Sequence, residues 1–257
     1  MSERRHAPAA LLLPALVAAL ALSAWHVAVR ALHSSVFPEP LAVARALGEL
    51  ARRGVLWGYI EDSMLRVGGG YLLALVCGIP LGLLMGWYDD LATALNPVVQ
   101  ILRPISPLAW IPVSIVLFGI SNGAAIFLIF LASLFPIVVA TMNGVRSVPP
   151  MYLQAGRNFG LSTATLLRRI VLPAALPQIL IGLRIALGIS WLVVVAAEMI
   201  AVDSGLGYLV IDSRNAGKRY DLVLAAILLI GVIGLSLDLF ARQVERLRRV
   251  RWGFPKG

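Results

Sequence analysis

The sequence predicts an all-α polytopic membrane protein with six transmembrane helices. Three observations carry that prediction. Of 257 residues 60% are hydrophobic, and the mean hydropathy is +0.88. Charged residues make up only 14%, against about 25% in an ordinary soluble domain. Several apolar runs reach the roughly 20 residues that a helix needs to cross a bilayer.

The net charge of +9 would suggest nucleic acid in a soluble chain. In a membrane chain it fits basic cytoplasmic loops facing anionic inner-leaflet lipid, so membrane lipid is the expected contact and nucleic acid is not. The single cysteine, Cys77, lies in an apolar run and cannot form an internal disulfide. No Gly-Lys-Ser/Thr phosphate loop is present, so any ATP is handled by another chain. No His/Cys/Asp cluster has metal-ligand spacing, and no cofactor is expected.

The chain divides into residues 1–62 (first span and outer connector), 63–241 (a core of five spans with a loop at 150–173) and 242–257 (a basic tail). The first span is predicted at 8–29, after Arg4 and Arg5. Its length favours an uncleaved helix over a signal peptide. Phe37-Pro38 and Glu39-Pro40 mark a turn, and 41–53 has the pattern of an amphipathic helix. The second span, 63–87, carries Gly78, Gly82 and Gly86 four apart on one face, a seam for close helix packing. Trp87-Tyr88 ends it at the interface, and a short turn closes at Asn96-Pro97. The third span, 98–119, is interrupted by Pro104, Pro107 and Pro112, a feature tolerated beside a pathway or a neighbouring helix. The fourth runs 124–144 with a kink at Pro136.

Between spans four and five lies a polar, basic segment with internal order. Pro149-Pro150 breaks the preceding helix. Met151, Ala155 and Phe159 then form one apolar stripe at i, i+4 and i+8. Gly160 suits the left-handed residue that ends a helix, and Ser162 can cap a second one, which is expected to stop before Pro173. The fifth span, 176–201, holds Arg184 near one end and Glu198 near the other, where Arg184 can snorkel and Glu198 can reach water. Residues 203–221 are expected as an outer loop. The sixth span is 222–241, and Arg242, Arg246, Arg248, Arg249, Arg251 and Lys256 follow it.

Arg146, Arg157, Arg168 and Arg169 make the 150–173 side of the chain basic, as is the tail two spans later. The positive-inside rule therefore puts both in the cytoplasm, with both termini inside.

Gln154-Ala155-Gly156, three residues, Gly160, nine residues, Ile170, one residue, then Leu172-Pro173 resembles the Glu-Ala-Ala loop of the permease subunits of bacterial ATP-binding-cassette (ABC) importers. Five of seven marked positions match, with Gln154 in place of Glu and Gly156 in place of Ala. Ser106 to Pro112, Gly182 to Gly188 with Trp191, Ala196 to Ile200 and Gly205 to Tyr208 are similar to the nitrate, sulfonate and taurine branch. The resemblance implies a type I importer permease fold whose 150–173 loop couples to a cytoplasmic ABC ATPase in the bacterial inner membrane. It further implies a periplasmic binding protein, a second permease copy, alternating access and a small anion as cargo. Pro107, Trp110, Arg184, Trp191 and Glu198 are the pathway candidates.

Two other classes compete. A self-sufficient secondary carrier or channel would more often show internal repeats or buried charge pairs near the midplane. An intramembrane enzyme would need a paired base beside Ser106, Ser190, His26 or His33, and the sequence offers none. The chain is expected to do no chemistry itself.

Overall fold

The computed structural model describes residues 7–32, 36–215 and 217–245. Arg4, Arg5, His33 and the tail from Arg246 to Lys256 lie outside the described residues. Eleven helices run in order among those described: α1 (Ala7–Ala31), α2 (Pro40–Arg52), α3 (Val55–Trp87), α4 (Asp89–Leu102), α5 (Ile111–Phe118), α6 (Asn122–Arg146), α7 (Pro150–Asn158), α8 (Thr163–Leu166), α9 (Leu172–Glu198), α10 (Leu206–Asn215) and α11 (Tyr220–Glu245). Among the described residues, four helical stretches are each long and apolar enough to cross a membrane: Val55–Trp87, Asn122–Arg146, Thr163–Glu198 and Tyr220–Glu245. Much of their surface is apolar and open, as at Val76, Leu192 and Val232. In water such a surface would drive aggregation, and in a bilayer it meets lipid. Cys77 is free and also exposed.

Several elements depart from the sequence expectation. The third span is not one helix over 98–119. It is a bent pair, Asp89–Leu102 and Pro107–Phe118, with an 85° angle at the break. Pro104 and Pro107 each lack a backbone N–H, and Ser106, the residue before Pro107, is extended (ψ 128°), as the proline ring demands. Ser106 then caps the 3₁₀ turn Pro107–Trp110, its Oγ accepting from Leu108 N. The expected turn before residue 98 is helical, and the acidic pair Asp89 and Asp90 occupies the first turn of α4, where the helix dipole favours negative charge. Asp89 also accepts from Arg146 at 3.1 Å. The predicted 203–221 loop contains the helix α10.

Contacts divide the chain into two units, Met1–Gly58 with Leu209–Leu229, and Tyr59–Tyr208 with Ile230–Gly257. In the first, Val43 and Ala46 of α2 pack on Ala225 with Trp25 and Leu222 beside them. Arg219 donates to Glu49 at 2.9 Å and holds that carboxyl below its usual range.

The second unit holds the α3, α6 and α9 core. A Cβ at Gly82 would lie 2.6 Å from the Thr141 Cβ and the Val138 carbonyl; one at Gly86 would lie 2.6 Å from Val145. Gly70 faces Ile129 and Gly78 faces Ile137 in the same way. These pairs keep one constant offset, so α3 and α6 run parallel with their backbones in close approach, as the glycine spacing predicts. Across the other face of α6, Gly182 meets Ala140 and Gly144 meets Ala175, an antiparallel seam with α9. The buried hydroxyls of Ser133 and Ser190 bond each other there.

Candidate functional site

The segment 150–173 is built by caps at both of its turns. Gly160 has φ 72°, and around it Leu161 N donates to Gly156 O at 3.1 Å and Gly160 N to Arg157 O at 2.9 Å. Those two bonds are a complete Schellman ending for α7. One residue later, Ser162 starts α8, its Oγ accepting from Thr165 N. Helix, left-handed glycine and cap thus follow within a few residues, as the sequence predicts.

The second helix does not stop before Pro173. It widens into a π-helical turn, Leu167–Val171, and continues, so that Thr163–Glu198 is one 36-residue span. A proline ring clashes with the carbonyl four residues back, and a wider turn just before Pro173 relieves that clash. The helix start at Ser162 is therefore continuous with the membrane helix.

Within the segment, Gly156 is buried. A Cβ there would sit 2.8 Å from the Ile170 side-chain tip and closer still to Leu166. Ile170 is half-buried beneath it, while Leu172 and Pro173 lie on an open face. Gln154 and Ala155 are exposed. So is the apolar stripe: Met151 is 66% and Phe159 85% exposed. α7 therefore packs inward through Leu153 and Gly156 and presents Met151, Ala155 and Phe159 outward.

A second cluster gathers at the Glu198 end of α9. Glu198 was expected to reach water, but it is fully buried. Arg66 Nη1 donates to its Oε1 at 2.7 Å, Ser63 Oγ to its Oε2 at 2.9 Å, and Gly207 N to Oε2 at 3.0 Å. Arg66 is 2% exposed and also donates to Asn122 Oδ1, Ser204 O and Ser204 Oγ. Gly205 (φ 97°) lies so close that any Cβ would collide with the carboxylate. Each charge is paired and each oxygen bonded, the condition under which burial is tolerated. The sequence reading placed no buried charge pair here. Arg66 nevertheless lies inside the predicted second span, and an ionisable residue at such a position signals a buried partner.

The other candidates separate. Arg184 does not snorkel freely: it pairs with Glu245 at 3.0 Å and Asp238 at 3.5 Å. Trp191 is buried, donates to the Ile230 carbonyl at 3.1 Å and packs on Gly234. Pro107 and Trp110 line a cavity of about 370 Å³ together with Arg103, Phe135, Pro136 and Ile185.

Long apolar helices, a capped helical knuckle and a closely packed core define a multi-pass membrane permease. Residues 78–250 match the family model described as "Binding-protein-dependent transport system inner membrane component", and the chain belongs to that family. It is 41% identical over 186 residues to the nitrate import permease protein NrtB of Leptolyngbya laminosa, covering 72% of this chain and 66% of that one. It is 40% identical over 195 residues to the bicarbonate transport system permease protein CmpB of Synechococcus elongatus, covering 76% and 69%. Among solved structures, an inward-facing MetNI methionine ABC transporter superposes with TM-score 0.60 at 21% identity, over 74% of this chain and 96% of that one, and supports the type I importer permease fold. The chain is thus an ABC importer permease, a transport subunit rather than an enzyme, and its family works with an ATPase and a binding protein.

Proposed function

We propose that two copies of this chain form the pathway of an importer for a small anion. Each has six spans and both termini in the cytoplasm of a bacterium, and the surrounding inner membrane supplies lipid contacts. α1 and the bent pair would complete the six spans. The observation that carries the coupling role is the outward apolar stripe of α7, Met151, Ala155 and Phe159, on a rigid capped turn. An exposed apolar patch of this kind on a stiff element fits a partner's cleft. Gln154, Ala155, Gly156, Gly160, Ile170, Leu172 and Pro173 are then the ATPase-coupling residues. Because α8 runs on through the π turn into α9, a push on the knuckle would move a membrane helix, as alternating access requires. Pro107 and Trp110 are pathway residues in this reading. Arg184, Trp191 and Glu198 act by holding α9 in place. The anion cargo is supported by the nitrate and bicarbonate relatives; sulfonate and taurine rest on the motif resemblance.

Gly160→Val tests the lever. No atom lies within 4 Å of a Cβ there, so the cost is purely conformational, roughly 1–2 kcal/mol or more for a β-branched side chain at positive φ. The variant is expected at normal abundance in the membrane, with uptake per ATP hydrolysed lowered severalfold in proteoliposomes. Normal coupling would overturn the lever, and uptake by the chain without any ATPase would favour a secondary carrier.

A further inference from the structure

The cavity at the bend holds one cation whose role the packing does not explain. Its walls include Leu131, Ala132, Phe135 and Pro136 on α6 and Ile185 and Ile189 on α9. Those residues lie near the middle of Asn122–Arg146 and of Leu172–Glu198, so the cavity sits at mid-height of two membrane helices. Its lining is apolar and aromatic, from Trp110, Phe135 and Ile185, apart from Ser106 and Arg103. No carboxylate lines it.

Arginines of α3, α6 and α9 have acidic partners: Arg66 with Glu198, Arg146 with Asp89, Arg184 with Asp238 and Glu245. Arg103 is exposed and forms no ion pair among the described residues. It follows directly on α4, its N–H bonded to Val99 O, where the carbonyl end of a helix favours a cation. A charge within a membrane span is costly and faces the interior or a water-filled cavity. A cation in an apolar cavity with no carboxylate beside it is left to meet an anion from outside the chain.

We infer that Arg103 is the anion contact of the translocation pathway, a mid-depth subsite for a small oxyanion. This rests on the proposed anion cargo and assigns it a place in the chain. The guanidinium fork matches two oxygens of an anion such as nitrate or bicarbonate. Beyond Ser106 and Trp110, the only other residues in the wall able to donate a side-chain hydrogen bond, the wall is apolar and offers nothing further to hold the ion. A single cation offsets part of the anion's desolvation without trapping it, as conduction through a pathway requires.

The test uses the full complex, this chain with its ATPase and binding protein, in proteoliposomes containing ATP. Uptake is measured for nitrate, bicarbonate and taurine alongside ATP hydrolysis. Arg103→Gln is expected to keep hydrolysis stimulated by the loaded binding protein while uptake falls about tenfold or more, and Arg103→Lys, which keeps the charge but not the fork, to recover only part of it. Loss of packing would reduce both activities together. Wild-type uptake by Arg103→Gln, or uptake and hydrolysis falling in parallel, would overturn the subsite and leave the anion cargo standing. No uptake of any of the three anions by the unaltered complex would sink the cargo and the subsite with it. If Arg103→Gln fails to assemble, arginine modification of the unaltered complex by phenylglyoxal decides, read by peptide mass spectrometry. Nitrate should slow modification of Arg103 severalfold and spare Arg168; equal rates with and without nitrate would overturn the subsite.

Discussion

Glu198 and Arg66 show how much one pair of residues can carry. Their charges are buried and mutually satisfied, and Ser63, Asn122, Ser204 and Gly207 bond the remaining groups. The network ties α3, the start of α6, the end of α9 and the 201–207 turn. Removing one partner strands the other charge, which costs about 3–5 kcal/mol, whereas replacing both with apolar residues of similar volume is far less damaging. Glu198→Leu alone is therefore expected to lower the thermal midpoint of the purified complex by many degrees. Arg66→Met combined with Glu198→Leu should recover much of the loss, and a double variant worse than either single would contradict this account. Sequence motifs marked Glu198 and the Gly205 to Tyr208 turn separately, but nothing local links them to Arg66, 132 positions away.

At the scale of elements, close backbone approach governs the core. Gly78, Gly82 and Gly86 were legible because small residues four apart share one face of a helix, and the structure seats α6 on that face and extends the contact to Gly70. Gly82→Ala sets a methyl against Thr141 and a backbone carbonyl that cannot step aside. Overpacking of this kind costs about 1–3 kcal/mol. Reduced thermal stability in detergent with normal insertion is expected; unchanged stability would mean that α3 and α6 separate freely. The knuckle was legible for a different reason. A left-handed glycine and a serine cap act through bonds within five residues, so Gly160 and Ser162 could be placed without tertiary information. The end of the second helix could not. Pro173 normally stops a helix, and only packing of Val171 and Ala175 in the core makes a π turn preferable to a break.

For the whole molecule, the proposed function sets a second permease copy across the pathway. Exposed apolar residues on α5, such as Val113, Val116 and Leu117, and the opening of the Arg103 cavity fit an arrangement in which a second copy faces the first. Native mass spectrometry of the solubilised complex is expected to find two copies of this chain with two ATPases. A single copy, or a different permease as the second chain, would reject the homodimer. In the proposed orientation, Arg146, Arg157, Arg168 and Arg169 lie on the cytoplasmic side, where the knuckle can meet an ATPase.

The sequence by itself determined what depends on local chemistry and on length. Apolar runs long enough for a bilayer set the class, glycine spacing set the helix seam, and caps set the knuckle. Tertiary structure alone decided which charges meet, where the third span bends and which side chains surround the resulting cavity. The physical reason is the same in each case. A cap or a span is stabilised within a few residues or a single helix, whereas a buried ion pair or a cavity wall is chosen by several helices packing at once. Arg103 is a cation among prolines in the sequence, and it becomes a candidate anion contact only when residues at mid-height of α6 and α9 line one cavity with it.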